Sequence, residues 1–327
     1  MNIETDNLPS HRTGLIWCAF AAVYVVWGST YLAIRFAVET IPPFLMGGAR
    51  FLLAGSMVYG WLRLRGIPAP TRAEWRTSAV IGALLLGFGN GCVCWAEQRI
   101  SSSVTALLIA MTPVWFALLG WLQPGGTRPR VQTALGILTG FAGVVFLVRP
   151  AARGGSLAID LPGFAALTAA SVAWAAGSLY SRKQPHTRSP LMGVAAQMLS
   201  GGVILAAIGL LAGEGVRLHP GEISPRSAGG FFYLVFFGSL VGYTAYHWLL
   251  KASTPARVST YAYINPVIAV VLGWALGGEK LTLHTLWAAL VIVLGVLIIT
   301  LQKSEVDPGF VTKLFRRPAG APSPAKR

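Results

Sequence analysis

Ten apolar stretches, separated by short polar or Gly/Pro-rich breaks, make up most of this chain. Each is close to the roughly 20 residues that a helix needs to cross a bilayer at about 1.5 Å per residue. They run from Gly14 to Ile34, Pro43 to Leu62, Thr77 to Ala96, Ser102 to Leu122 and Val131 to Val148, then Leu161 to Leu179, Leu191 to Ala212, Gly229 to Leu250, Val258 to Leu276 and Leu283 to Leu301. The pattern predicts an all-α membrane protein with ten transmembrane helices.

A sparse set of residues recurs within these stretches at an offset of 153 positions. Gly89 and Trp95 return as Gly242 and Trp248, Pro113 and Val114 as Pro266 and Val267, and Gly120 and Trp121 as Gly273 and Trp274. Trp27 and Arg35 return with the same spacing of eight as Trp174 and Arg182. The chain therefore reads as a duplication, with one five-helix repeat over 14–149, a linker over 150–160 and a second repeat over 161–301. Residues 1–13 precede it and a basic tail over 302–327 follows. Five crossings per half is an odd number, so the second half enters the membrane from the other side. That gives inverted repeats related by a pseudo-two-fold axis in the membrane plane. Two halves able to exchange conformations have two arrangements of similar energy, one open to each face, which is what alternating access requires.

Composition agrees with the helical pattern. Of 327 residues, 54% are hydrophobic and only 11% charged, with a mean hydropathy of +0.61, far more apolar side chain than a water-soluble core of this length needs. The formal charge of +15 raises nucleic acid as a partner, but no loop exceeds about 15 residues and none forms a domain that could carry a basic face. With both termini cytoplasmic, 18 Lys and Arg fall inside against 6 outside, the bias that orients membrane proteins. The tail from Lys303 onward reads as an extension that touches anionic lipid headgroups. The first span runs directly into Glu39 and Pro42 without an obvious small-x-small cleavage site and is expected to remain as a helix. Cys18, Cys92 and Cys94 all lie in apolar spans with no completing His, so no metal set is expected, and no phosphate-binding loop for ATP is present.

Several motifs carry a family resemblance. They are Trp27-Gly28-Ser29-Thr30-Tyr31 in the first span, Pro42-Pro43 with Arg50 in the second, Trp95-Ala96-Glu97-Gln98 closing the third, Pro113 in the fourth and Gly278-Glu279-Lys280-Leu281-Thr282 before the tenth. In this order and spacing the chain resembles the EamA branch of the drug/metabolite transporter superfamily over nearly residues 14 to 301. The resemblance implies ten helices in 5 + 5 inverted repeats around a central cavity, and export of amino acids, metabolites or toxic compounds. One departure is that the family often places a Gly-Glu pair before the fifth helix too, whereas the corresponding position here is Thr127. Glu279 is therefore read as a helix-start or loop anchor, because an acid near a helix N-terminus is favoured by the dipole.

Candidate site residues follow from polarity inside the spans. A charge within the bilayer costs at least about 2.5 kcal/mol, so it faces a partner or a wet cavity. Trp27, Tyr31 and Arg35 fall at i, i+4 and i+8 on one helical face, a wall suited to a carboxylate-bearing or aromatic solute. Arg50 joins that wall or bridges to Glu97 or Glu39, and Arg35 either joins it or snorkels to the interface. Tyr243 and His247 repeat Asn90 and Cys94, so this face of the third and eighth helices is expected to line the cavity. Trp95, Trp174, Tyr261 and Asn265 complete the solute-contacting set. His247 and Glu97 are the candidates for proton coupling, with a neutral, hydrogen-bonded His247 as the alternative. Pro113 and Pro266 mark kinks at matching depths, serving either the site or helix packing. The steps Gly136–Gly140 and Gly238–Gly242 read as close helix contacts or homodimer faces.

The function expected is an alternating-access exporter of small amino-acid-like or amphipathic, aromatic metabolites in the bacterial inner membrane, without cofactor or enzymatic activity. The other classes weighed are an intramembrane enzyme, which lacks a nucleophile beside a His/Asp pair, and a regulatory or assembly subunit, which has no need of mirrored polar depths. Reporter fusions to residues 1 and 327 are expected to give cytoplasmic signals at both ends; signals from opposite sides of the membrane contradict the helix count.

Overall fold

The computed structural model describes residues 10–124, 126, 128–148, 160–184, 189–252 and 261–300. Among them every regular element is a helix and no strand occurs. We number the helices α1 (Ser10–Ala37), α2 (Pro43–Leu64), α3 (Arg72–Ala96), α4 (Ser102–Leu122), α5 (Val131–Val148), α6 (Leu161–Lys183), α7 (Pro190–Leu211), α8 (Pro225–Tyr233, Leu234–Tyr243 and Thr244–Ala252 in succession), α9 (Tyr261–Ala275) and α10 (Leu283–Thr300). Six of these segments are long and apolar enough to cross a membrane, and α5, α9 and α10 contain shorter apolar helices. Large apolar side chains such as Trp17, Phe88, Leu138, Trp274 and Trp287 are exposed on the outside of the bundle. In water that is a liability; against lipid it is the low-energy arrangement.

Helix ends record the direction of each crossing. At one face Glu279, just before α10, bonds to Ser102 at the start of α4 and to Arg35 near the end of α1. Glu214, just past α7, accepts from the backbone N–H groups of Phe44 and Leu45 at the start of α2. Ser227 at the start of α8 donates to the Phe36 carbonyl, and Arg99, following α3, bonds to Asp160, which caps α6. This face thus gathers the C-terminal ends of α1, α3, α7 and α9 and the N-terminal ends of α2, α4, α6, α8 and α10. Since α1 ends where α6 begins, the two halves are inverted.

Packing repeats the same relation. α1 lies on α8 and α9 while α6 lies on α3 and α4, and α2 pairs with α7, α4 with α9 and α5 with α10. Adding or subtracting five helices turns each pairing into another member of the set. The α5–α10 contact is close because it is built on glycine: a Cβ on Gly295 would lie 2.5 Å from the Gly140 backbone nitrogen and 2.8 Å from the Gly136 oxygen. Small residues let helix backbones approach in this way in membranes. The step Gly136–Gly140 therefore meets a helix of the same chain.

Gly295→Val is expected to cost about 1–3 kcal/mol or more through overpacking, read as a lower melting temperature of the detergent-solubilised protein. Gly60→Ala, which meets nothing within 4 Å, serves as the control and is expected not to lower it.

Candidate functional site

Two helices depart from regular α geometry at matching places. Ala83–Asn90 in α3 and Leu234–Tyr243 in α8 are π-helical, and the two runs end at residues 153 apart. A π turn widens the helix and re-aims its side chains, and such turns are frequent at functional sites. Each run holds one of the repeat glycines beside a tryptophan of the other half. A Cβ on Gly242 would fall 2.5 Å from Trp27 Nε1, and one on Gly89 would fall 3.4 Å from the Trp174 ring. Gly238, one turn earlier, leaves room for a guanidinium, since a Cβ there would lie 2.9 Å from Arg50 Nη2.

These features surround a cavity of about 1080 Å³ between the halves, large for a site that holds a small molecule. In its wall Trp27 is the hub of an aromatic cluster, with ring centroids 6.4 Å from Trp174, 6.1 Å from Tyr243, 4.9 Å from Tyr246 and 5.3 Å from Tyr261. Edge-on and tilted rings of this kind present both faces and hydrogen-bearing rims. Arg50 lies beside them, only 4% exposed. Its Nε donates to Ser239 Oγ at 2.9 Å, while Nη1 has no hydrogen-bond partner among the described residues.

Helix interruptions supply polar groups in the same wall. α4 breaks between Ile109 and Thr112, immediately before Pro113, and the Thr112 hydroxyl donates to the Ile109 carbonyl at 2.6 Å. In α9 the helix continues through Pro266. Asn265 beside it, with its amide turned to satisfy its neighbours, donates to the carbonyls of Tyr24 at 3.2 Å and Tyr261 at 3.3 Å. The cavity then runs past Phe116 and Ser178 to Arg128, Arg130 and Arg182, which are exposed at the face opposite the Glu279 cluster.

At the other face, away from Arg128 and Arg182, Glu279 closes the bundle. Its Oε1 accepts from Arg35 Nη1 at 2.9 Å, the Ser102 nitrogen at 2.8 Å and Ser102 Oγ at 2.7 Å. Its Oε2 accepts from the Ser103 nitrogen at 3.1 Å and from Ser103 Oγ. The carboxylate thereby satisfies backbone donors left open at the start of α4 and binds α1, α4 and the α9–α10 turn together. Glu97 is buried nearby, within the electrostatic reach of Glu279 and Arg35, and neither of its carboxyl oxygens has a hydrogen-bond partner among the described residues.

The sequence candidates divide accordingly. Trp27, Tyr31, Arg50, Asn90, Trp174, Tyr243, Tyr261 and Asn265 line the cavity, as do Pro113 and Pro266. Arg35 does not: it points into the Glu279 cluster, because the end of α1 belongs to the closed face. Trp95 is also outside, where Arg99 packs over its ring at 4.8 Å. Arg50 reaches neither Glu97 nor Glu39; Glu39 pairs with Arg226. Cys94 is buried and hydrogen-bonds to Asn90, and the side chain of His247 lies outside the described residues. Tyr246 and Arg182 were missed as site residues. Tyr246 is one turn from Tyr243 on the same face, and Arg182 is the repeat partner of Arg35, so both signals were present in the chain.

The EamA-like transporter family matches residues 12–149 and 161–301. The chain belongs to that family. An inner membrane transporter of Escherichia coli (strain K12), YedA, whose name calls it uncharacterized, is 39% identical to this EamA-family protein over 287 residues, covering 87% of this chain and 90% of its own. Protein PecM of Dickeya dadantii (strain 3937) is 24% identical over 291 residues, covering 86% and 93%. A solved crystal structure shares the EamA-family fold at a TM-score of 0.61 with 22% identity, covering 90% of this chain and 98% of its own.

Ser239→Ala is expected to leave a second buried nitrogen of Arg50 unpaired. The expected loss is about 1–3 kcal/mol, measured as a fall in the unfolding midpoint in detergent; an unchanged midpoint would show that the Ser239 contact does not hold Arg50.

Proposed function

We propose that this EamA-family transporter exports small metabolites, amino-acid-like or amphipathic and aromatic, across the inner membrane by alternating access. The observation that carries the reading is a cavity of about 1080 Å³ set between inverted halves, lined toward one face by Arg128 and Arg182, with the Glu279 cluster at the other. The basic loops orient the open face toward the cytoplasm, which makes this the arrangement that loads a solute for export, with both termini cytoplasmic.

The partner state follows from the repeat. When the halves exchange conformations, the Glu279 cluster opens and the ends of α4, α5 and α6 close around Arg128 and Arg182. No acid lies between Gln123 and Arg130 to repeat the role of Glu279. The outer closure is therefore the stronger of the two, and the cytoplasm-facing arrangement is the favoured one without solute. Glu97, buried beside the cluster, supports proton coupling at this gate, since a carboxyl that gains or loses a charge there changes the electrostatics of Glu279 and Arg35.

Proteoliposomes preloaded with unlabelled solute are expected to accumulate labelled solute by counterflow; no exchange across a panel of amino acids and aromatic metabolites contradicts the carrier reading. Each hydrogen bond to a charged group contributes about 1.5–3 kcal/mol, so Glu279→Ala is expected to move the conformational equilibrium by at least about 2 kcal/mol, roughly thirty-fold. Exchange slows accordingly, while the protein remains folded.

A further inference from the structure

The geometry points to an organic anion as the transported class, its negative group docking on Arg50 Nη1 and its apolar body lying in the Trp27 cluster. The inference rests on the carrier reading above and specifies the charge of its solute. The cavity lining contains Arg50, Arg128, Arg130 and Arg182, and no Asp or Glu among the described residues. A cavity of one charge sign with low-dielectric walls concentrates solutes of the opposite sign.

Arg50 is the docking point because it is the buried member of that set. Its Nε is held by Ser239, Gly238 leaves space for Nη2, and Nη1 is left without a hydrogen-bond partner. A guanidinium anchored at one edge and buried but unpaired at another is arranged to receive a carboxylate, phosphate or sulfonate oxygen through a charge-assisted bond. In the same cavity lining are the rings of Trp27, Tyr243 and Tyr246, which form a surface for an aromatic or aliphatic body.

The mouth follows from the broken symmetry of the repeat. In the second half Glu279 compensates Arg35; at the equivalent place in the first half, the loop that brings Arg128 and Arg130 near Arg182 has no acid. One face is thus closed by the Glu279–Arg35 pair, while Arg128 and Arg182 line the cavity toward the other. The aromatic cluster alone is also suited to a cation, but Arg50 in the same wall repels one.

Three probes of one shape decide the point: 3-phenylpropionate, 3-phenylpropionamide and 3-phenylpropylamine, titrated into the purified full-length protein by calorimetry. The acid is expected to bind at least tenfold more tightly than the amide or the amine. Arg50→Gln is expected to erase that preference while leaving amide binding within threefold, and Arg182→Gln to slow association of the acid. Because the comparison on the unsubstituted protein stands alone, it decides even if a variant fails to fold. Equal or tighter binding of the amide or the amine overturns the anion assignment, as does absence of binding by all three. Selective binding of the acid without counterflow of any solute leaves the anion site standing and removes the carrier reading; counterflow of the amine alone does the reverse.

Discussion

A carboxylate held by five donors at one end of a helical bundle constrains everything else in this structure. Ser102 and Ser103 at the start of α4 are buried, and with no water to satisfy their open N–H groups that helix start is either capped or costly. Glu279 caps it from a different half of the molecule and takes Arg35 from a third helix. The bond network therefore does two jobs: it satisfies local polarity and it fixes which face of the bundle is shut.

The rest of the architecture is arranged around the cavity that this closure leaves. The π-helical runs of α3 and α8 and the glycines within them seat Trp174, Trp27 and Arg50, so the central wall is built by the same device in each half. At the ends of the bundle the halves diverge. Glu279 has no acidic counterpart in the first half, and an exact exchange of roles is thereby lost at the gates while it is kept at the centre. A carrier needs similar energies in its two states, and a difference of a few kcal/mol between them is enough to set which one is populated in the absence of solute.

Much of this was legible in the chain. The spacing of Trp27, Trp174, Gly89 and Gly242 revealed the duplication, and the structure turns that spacing into contact, because each glycine lies against the tryptophan of the opposite half. Arg50 and Asn265 were identifiable as cavity residues because a polar group inside a span needs a reason to be there. Arg35 was misplaced for an instructive cause: helical periodicity fixes the face of a residue but not its depth relative to a gate, and its partner Glu279 is 244 positions away. The anchoring role assigned to Glu279 had the right kind of target, a helix start, but on α4 and not on its own helix. Arg128 and Arg182 were read as orienting charges, since a loop arginine looks the same from sequence whether it faces lipid headgroups or the mouth of a cavity.

The most direct test of alternating access is the accessibility of Ser178, midway between Trp174 and Arg182 in the cavity wall. Ser178→Cys, placed in a chain whose three native cysteines are replaced by alanine, is treated with a membrane-impermeant thiol reagent from each side in turn. The account predicts labelling from the face bearing Arg128 and Arg182 at rest, with labelling from the Glu279 face appearing only while solute is being exchanged. Equal labelling from both faces without solute, or from the Glu279 face alone, contradicts it.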